Sequence, residues 1–173
     1  MEKKELARKI YQAAYIQGSF MLRSGKISNE YFDKYRFESQ PHLLRAIAEN
    51  MKNAIPAGID YLAALEMGGI PIATALSLIT GIPVVFVRKE AKKYGTCKLA
   101  EGLEIEGKNL LIVEDVVTSG GQVVISANDL RKLGAAVKYA LCVIDRQSGG
   151  KEHLKENDIE LISLFTMDEL KGA

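Results

Sequence analysis

Residues 109–122 read Asn-Leu-Leu-Ile-Val-Glu-Asp-Val-Val-Thr-Ser-Gly-Gly-Gln, and this stretch decides the fold that the sequence predicts. Four consecutive aliphatic residues at 110–113 are typical of a strand that is buried on both faces of a parallel sheet. Glu114 and Asp115 fall where that strand is expected to end. The small residues at 118–121 then predict a turn, and the apolar period of the residues that follow predicts a helix.

A turn of this composition, placed before a helix predicted at 123–133, points to an anion site. Its backbone N–H groups and those of the helix N-terminus can bind a phosphate dianion. Two carboxylates beside the turn can hold sugar hydroxyls, or contact Mg²⁺ directly or through water. The stretch therefore indicates a site for a phosphorylated ribose. The simpler alternative is a buried strand that ends in a polar turn without a ligand.

Other nucleotide and phosphate sites fit the sequence less well. The chain has no G-x-x-x-x-G-K-[ST] loop, and no G-x-G-x-x-G follows a predicted strand. Residues 111–115 also resemble the first strand of a phosphoacceptor receiver domain, whose acidic pair binds Mg²⁺. Such a strand opens its domain, whereas this one begins only at residue 110 and runs at once into Thr-Ser-Gly-Gly. The receiver interpretation is therefore disfavoured.

Composition limits the class of protein further. The chain has 173 residues, enough for one domain with a proper core. Its 23 Lys and Arg against 22 Asp and Glu leave a net charge of +1, which gives no sign of nucleic-acid binding. Apolar runs are too short for a membrane span. Cys97 and Cys142 are too few for a disulfide framework, so we expect a reducing, cytoplasmic setting.

The remaining chain alternates predicted strands and helices, which favours an α/β fold with a mostly parallel central sheet of about five strands flanked by helices. Besides the central stretch, strands are predicted at 20–22, 30–33, 61–65, 82–87, 137–144 and 159–164. Helices are predicted at 3–16, 41–55 and 70–80, with a terminal turn at 167–170. Gly18 is expected to end the first helix, and the loop at 66–69 offers close backbone approach to an anion. His153 is interpreted as a solvated helix residue.

A cationic segment follows the strand predicted at 82–87. Residues 88–98 read Arg-Lys-Glu-Ala-Lys-Lys-Tyr-Gly-Thr-Cys-Lys, and the apolar period stops there. A solvated loop is the simpler interpretation. The functional one is a lid that brings positive charge to a polyanionic leaving group, where cations lower the barrier to departure.

The stretch at 109–122 resembles the phosphoribosyl-diphosphate (PRPP) binding motif of the type I phosphoribosyltransferases. Three further segments resemble orotate phosphoribosyltransferases: 20–33 is similar to their N-terminal hood, 88–95 to their lid, and 145–150 to their Asp-Arg-x-x-Gly-Gly. The resemblance covers nearly the whole chain. It implies one domain over 1–173, with a small hood from about 1–36 plus part of the C-terminal segment, and a core of about 40–150.

The resemblance also implies the reaction, which is transfer of 5-phosphoribosyl from PRPP to orotate, a pentosyl transfer that gives orotidine 5′-phosphate and pyrophosphate in pyrimidine (UMP) biosynthesis. It implies catalytic roles for Lys92, Tyr94, Glu114 and Asp115. PRPP-binding roles fall on Arg88, Lys89, Lys92, Glu114, Asp115, Val116, Val117, Thr118, Ser119, Gly120, Gly121, Gln122, Gly68 and Gly69. Orotate-binding roles fall on Arg23, Lys26, Tyr31, Phe32, Thr118 and Arg146.

Cofactor and partners follow from the same resemblance. Mg²⁺ is expected to be carried by PRPP with no direct protein ligand, and to contact Glu114 and Asp115 through water. The partners implied are the two small-molecule substrates and a second copy of the chain, in a homodimer whose lid reaches the neighbouring site. Neither nucleic acid nor a membrane is expected.

Three positions depart from the family pattern and keep alternatives open. Gly68 stands where many orotate enzymes have Lys, Tyr94 where they have His, and Asp33-Lys34-Tyr35 where Asp-x-Arg is commoner. One alternative is a phosphoribosyltransferase for another base, such as a purine. The other is a regulator on the same fold that senses PRPP and binds nucleic acid.

Overall fold

The computed structural model describes residues 1–21, 25–91, 95 and 98–173. Its helices are α1 (Lys3–Ala14), α2 (Tyr35–Glu38), α3 (Pro41–Met51), α4 (Gly69–Thr80), α5 (Gly121–Lys132), α6 (Gly150–Glu156) and α7 (Met167–Lys171), with a 3₁₀ turn at Lys52–Ala54. Its strands are β1 (Tyr15–Met21), β2 (Ile27–Phe32), β3 (Tyr61–Leu65), β4 (Val84–Val87), β5 (Ala100–Glu101), β6 (Asn109–Val117), β7 (Ala136–Asp145) and β8 (Glu160–Thr166).

Six strands form the central sheet in the order β5-β4-β3-β6-β7-β8. All neighbouring pairs are parallel except β4 and β5, so the predicted α/β class with a mostly parallel sheet is confirmed. The sixth strand, β5, was not predicted because two residues show no periodicity. The strand predicted at 110–113 lies at the centre, between β3 and β7. It also runs further than expected, through Glu114 and Asp115 to Val117, because β7 continues to pair with it there.

Successive residues of the buried strands face opposite sides of the sheet, and each side has its own core. On one side Leu111 and Val113 pack with α1, α3, α4 and α7. On the other side Leu110 and Ile112 pack with α5 and α6. Helices therefore cover both faces, as a parallel sheet requires, and functional groups collect at the strand ends. In the part of the chain described, no helix is both long and apolar enough to cross a bilayer.

The N-terminal segment differs from its prediction. The helix expected at 3–16 ends at Ala14, and Gly18 lies within β1 instead of ending a helix. The reason is tertiary pairing: β1 forms an antiparallel hairpin with β2, from Tyr15 opposite Phe32 onward. The two strands predicted around the turn at 24–25 are therefore present but begin earlier than expected. This hairpin is a two-stranded sheet separate from the central one.

Candidate active site

The loops that follow β3, β4, β6 and β7 open at the same edge of the sheet, because parallel strands end together. A cavity of about 350 Å³ lies at this edge, and we call it the strand-end cavity. It is lined by Lys34 and Tyr35, by Glu66, Met67 and Gly68, by Lys89, and by every residue from Glu114 to Val123. The acidic pair and the Gly-containing turn predicted to act together thus do share one cavity.

The turn at 118–121 has the geometry of an anion cradle. Gly120 has φ of +74°, in the left-handed region, and α5 begins at the next residue. The first N–H groups of a helix have no partner within the helix and point out of its N-terminus. A Cβ on Gly120 would lie 2.1 Å from Leu154 Cδ1 and 3.2 Å from the Gly150 carbonyl oxygen, so α6 packs tightly behind the turn.

His153 holds this turn from behind. Its Nδ1 lies 2.8 Å from the Ser119 carbonyl oxygen, which can only accept, so Nδ1 carries the proton and donates. His153 belongs to a helix, α6, as predicted, and is partly exposed; its hydrogen bond to the turn was not predicted. No signal in the sequence indicated this contact, because it arises from the docking of α6 against the turn.

Buried carboxyl groups surround the middle of the cavity. Asp115 is fully buried, and its Oδ2 lies 2.5 Å from Lys34 Nζ. Its Oδ1 accepts a hydrogen bond from the Val116 N–H. Glu38, at the end of α2, is only 6% exposed and its carboxyl contacts that of Asp115. The sequence singled out Asp115, whereas the roles of Lys34 and Glu38 were missed because the chain brings them there from far away.

Burial governs the electrostatics of this cluster. It raises the pKa of Glu114 to about 8, with the negative charge of Asp115 as the second cause. Burial also raises the pKa of Glu38 to about 9, and the negative charge of Asp115 is again the second cause. Burial by itself would lower the pKa of Lys34, but the contact with Asp115 outweighs it and the pKa is raised. At neutral pH Glu38 and Glu114 are therefore largely protonated, and the Glu38 carboxyl can donate to Asp115, which is ion-paired with Lys34.

We expect Glu38→Gln to stabilise the protein at alkaline pH. The pKa of Glu38 rises from 4.5 to about 9 on folding, so the stability that depends on its proton is complete below pH 4.5 and is lost as pH rises towards 9. Glutamine keeps a neutral donor and does not titrate. At pH 8.5 the variant should gain about 2 kcal/mol, which raises Tm by about 4–8 °C. Calorimetry at pH 5 and 8.5 measures this, with the exposed Glu160→Gln as control. An equal gain in the free energy of unfolding at both pH values would contradict this prediction.

The loop between β3 and α4 must contain glycine for reasons that the structure makes clear. A Cβ on Gly68 would lie 1.6 Å from Asp115 Oδ2, and a Cβ on Gly69 would lie 2.1 Å from the Val113 carbonyl oxygen. Gly68 lines the strand-end cavity, while Gly69 permits the close packing of α4 on β6. The departure at Gly68 from the Lys of many orotate enzymes is thus tied to the position of Asp115.

The cationic segment is only partly described. Lys89 lines the strand-end cavity, and its backbone N–H donates to Glu66 Oε1 at 2.6 Å. Arg88 does not line this cavity: its Nε lies 3.3 Å from Glu101 Oε1, and it lines a neighbouring cavity with Ile70. Three residues predicted to act in the site, Arg23, Lys92 and Tyr94, lie outside the described residues.

A second cavity, of about 280 Å³, lies under the hairpin, and we call it the hood cavity. Tyr31, Phe32 and Arg146 line it together, as predicted for a base site. Tyr11, Tyr15, Ser28, Glu30, Met167 and Lys171 line the remainder. Lys26 is exposed beside the turn of the hairpin, and Thr118 lies in the strand-end cavity. The two cavities adjoin, because the Arg146 N–H donates to the Val117 carbonyl oxygen at 2.9 Å.

Comparisons with known proteins agree with this arrangement. A family model for the phosphoribosyl transferase domain matches residues 36–169. The orotate phosphoribosyltransferase of a Nocardioides species is 45% identical over 168 residues, which cover 97% of this chain and 94% of that protein. The orotate phosphoribosyltransferase of Methanocella arvoryzae is 41% identical over 169 residues, 97% of each chain. The crystal structure of the Mycobacterium tuberculosis enzyme of that name superposes with a TM-score of 0.87 at 27% identity, over 97% of this chain and 98% of that one.

Proposed function

This chain belongs to the orotate phosphoribosyltransferases, within the phosphoribosyl transferase domain family, and from that premise we propose that its two adjoining cavities hold the two substrates. The sequence-based recognition is thereby confirmed. The reaction is transfer of 5-phosphoribosyl from PRPP to orotate, which gives orotidine 5′-phosphate and pyrophosphate for pyrimidine biosynthesis. The observation that supports the placement of PRPP is the shared lining of one cavity by the acidic pair and the turn at 118–121.

The turn at 118–122 binds the 5′-phosphate. Thr118, Ser119, Gly120, Gly121 and Gln122 all line the strand-end cavity at the N-terminus of α5, where N–H groups and the helix dipole favour a dianion. His153 is a positioning residue here, because its hydrogen bond fixes the Ser119 carbonyl and with it the direction of the following N–H group. Val116 and Val117 line the approach to the ribose.

Glu114 and Asp115 hold the ribose hydroxyls. Both lie near the carboxyl end of β6, separated from the phosphate turn by Val116 and Val117, and line the same cavity as that turn. The anion of Asp115 also faces the positive charge that develops on the ribose ring as pyrophosphate leaves. Loss of a good leaving group through such a state depends on positioning and electrostatics more than on a protein nucleophile.

The pyrophosphate lies towards the loop at 66–69 and the cationic segment. Gly68 lets the backbone approach the anion, and Lys89 lines the same end of the cavity. From the family resemblance, Lys92, Tyr94 and Arg88 join the pyrophosphate when the segment closes over PRPP. Arg88 would first have to leave Glu101, a partly exposed ion pair that costs about 1 kcal/mol or less to break.

The hood cavity holds orotate. Tyr31 and Phe32 offer flat apolar surface to the pyrimidine ring, and Arg146 offers its guanidinium to the carboxylate. Thr118 lines the strand-end cavity next in the chain to Val117, which is bonded to Arg146 of the hood cavity, so Thr118 is proposed to contact both substrates. Arg23 and Lys26 are proposed on the family resemblance alone. The hood itself is proposed to comprise residues 1–36 and part of the C-terminal segment, over a core of about 40–150.

The residues present suit Mg²⁺ carried by the substrate. Among the described residues, no group of three or more His, Cys, Asp or Glu side chains could hold a metal by itself. The neighbouring side chains of Glu114 and Asp115 offer oxygen atoms of the kind that Mg²⁺ accepts through its bound waters. When bound to PRPP, the ion neutralises charge on the departing pyrophosphate, and Glu114 and Asp115 would contact it through water.

The chain is also proposed to form a homodimer and to act in the cytoplasm. The family resemblance favours a homodimer in which the cationic segment of one subunit reaches the site of the other. A cytoplasmic setting is consistent with free Cys142, which lies buried in the core and whose thiol pKa is raised by burial.

The absorbance change of orotate in the presence of PRPP and Mg²⁺ tests this function directly. We expect orotate consumption that depends on PRPP and releases one pyrophosphate per orotate. Adenine, guanine, hypoxanthine and uracil serve as competing bases in the same assay. Turnover of a purine without turnover of orotate, or binding of PRPP without any turnover, would favour the alternatives of another base or of a PRPP sensor.

A further inference from the structure

Lys34 projects into the strand-end cavity from outside the segment that the family model matches, which begins at residue 36. It precedes the short helix α2, and the hydrogen bond from the Tyr35 N–H to Asp33 Oδ1 fixes the turn before it. Its ammonium lies 2.5 Å from Asp115 Oδ2 and 5.2 Å from the centre of the Tyr35 ring. Two neighbours thus hold the side chain at a defined place.

That place is the end of the cavity where we propose that pyrophosphate binds. The Asp115 Oδ2 that contacts Lys34 is also the atom that a Cβ on Gly68 would meet at 1.6 Å. The ammonium therefore lies at the border between the ends of β3 and β6, beside the loop at 66–69. The phosphate turn lies beyond Asp115 along the chain, at the start of α5.

Few cationic side chains in the strand-end cavity could bind a polyanion. Lys34 and Lys89 are the cationic side chains among the described residues that line it. Its carboxyl groups belong to Glu66, Asp115 and Glu114, the last with a pKa raised to about 8. The Lys34 side chain lines the cavity and is 32% exposed, although its partner Asp115 is fully buried. An ammonium has three N–H donors, and one carboxylate oxygen does not use them all.

We propose that Lys34 is a PRPP-binding residue, held by Asp115, that donates to the pyrophosphate group in the cavity that Lys89 also lines. This inference rests on the proposed function. Asp115 then has two tasks, because it faces the ribose and also fixes the cation. Glu38 is a positioning residue for both, since its buried carboxyl interacts with that of Asp115.

Calorimetric titration of Lys34→Gln with pyrophosphate and, separately, with ribose 5-phosphate tests the proposal in Mg²⁺ buffer. A lost charge-assisted hydrogen bond should weaken pyrophosphate binding about 10- to 100-fold. Binding of ribose 5-phosphate, which reports the turn at 118–122, should change less than about 3-fold. Lys132→Gln is the matched control, because this lysine pairs with Asp129 on the surface at 2.8 Å, with 75% of its side chain exposed. It should change neither affinity.

Two outcomes would overturn the proposal. Unchanged pyrophosphate affinity would remove Lys34 from the site, and an equal loss for both ligands would make it only a structural partner of Asp115. The wild-type reaction is run beside these titrations. If wild type consumes no orotate with PRPP, the proposed function fails, whereas normal turnover with unchanged pyrophosphate binding in Lys34→Gln counts against Lys34 alone.

A second measurement avoids any dependence on folding of the variant. Acetylation of wild-type lysines by an amine-reactive ester, followed by mass spectrometry, reports access to each ammonium group. Pyrophosphate with Mg²⁺ should slow acetylation of Lys34 at least about 5-fold, because charge-assisted contacts keep the ammonium protonated and shielded. Ribose 5-phosphate should leave it within about 2-fold. Equal rates with and without pyrophosphate would contradict the proposal.

Discussion

Asp115→Asn is expected to lower kcat/KM for PRPP about 100- to 1,000-fold. The amide keeps the shape of the carboxylate but removes the charge that faces the developing positive charge on the ribose. It also leaves Lys34 without its counter-ion, 2.5 Å from the altered group. Because the phosphate turn is untouched, binding of ribose 5-phosphate should weaken far less than turnover.

Initial rates of pyrophosphate release at several PRPP concentrations measure this effect. Asp129→Asn is the control, since this carboxylate pairs with Lys132 on the surface of α5 and carries the same change of charge. A loss that appears only in KM would show that Asp115 binds PRPP without favouring the transition state. Unchanged kcat/KM would remove Asp115 from the mechanism.

Gly120→Ala is expected to disrupt both stability and phosphate binding. Alanine at φ of +74° costs about 1–2 kcal/mol, and its Cβ would lie 2.1 Å from Leu154 Cδ1. Leu154 is fully buried, so it cannot move aside without disturbing α6. Together these effects should lower the free energy of unfolding by about 2–4 kcal/mol and Tm by about 5–15 °C. Ribose 5-phosphate binding should weaken at least about 10-fold, because the N–H groups of the turn lose their alignment.

The neighbouring glycine provides the control for stability. A Cβ on Gly121 meets only Ser119 Oγ, at an ordinary 3.8 Å, and this residue is the first of α5. Gly121→Ala should therefore keep Tm or raise it by about 1–4 °C, since alanine favours the helix and restricts the unfolded chain. Thermal unfolding of both variants measures the difference in Tm between them. Equal Tm values for the two would contradict the argument from the left-handed turn.

The sequence predicts the central stretch well because its signals are local. An apolar run, an acidic pair, small turn residues and an amphipathic segment follow one another within 109–133. They form a strand, a turn and a helix in that order, although the strand extends past the acidic pair to Val117. The alternation of strands and helices then limits the fold to a parallel sheet covered on both faces. The pairing of Tyr31, Phe32 and Arg146 in one cavity was also foreseen, but through the family resemblance.

What the sequence does not predict depends on contacts between distant segments. Gly18 lies in a strand because β2 pairs with that segment, which overrides the helical pattern before it. Lys34 and Glu38 meet Asp115 only after α2 docks against the sheet, and no spacing along the chain indicates it. His153 is a comparable case, since its bond to Ser119 depends on how α6 packs behind the turn.

A crystal structure of the protein with bound PRPP tests the central claim most directly. We expect the 5′-phosphate within hydrogen-bonding distance of backbone N–H groups in the turn at 118–122, the ribose hydroxyls on Glu114 and Asp115, and the pyrophosphate towards the loop at 66–69. A 5′-phosphate seated in the hood cavity, with the turn at 118–122 free of ligand, would contradict the account.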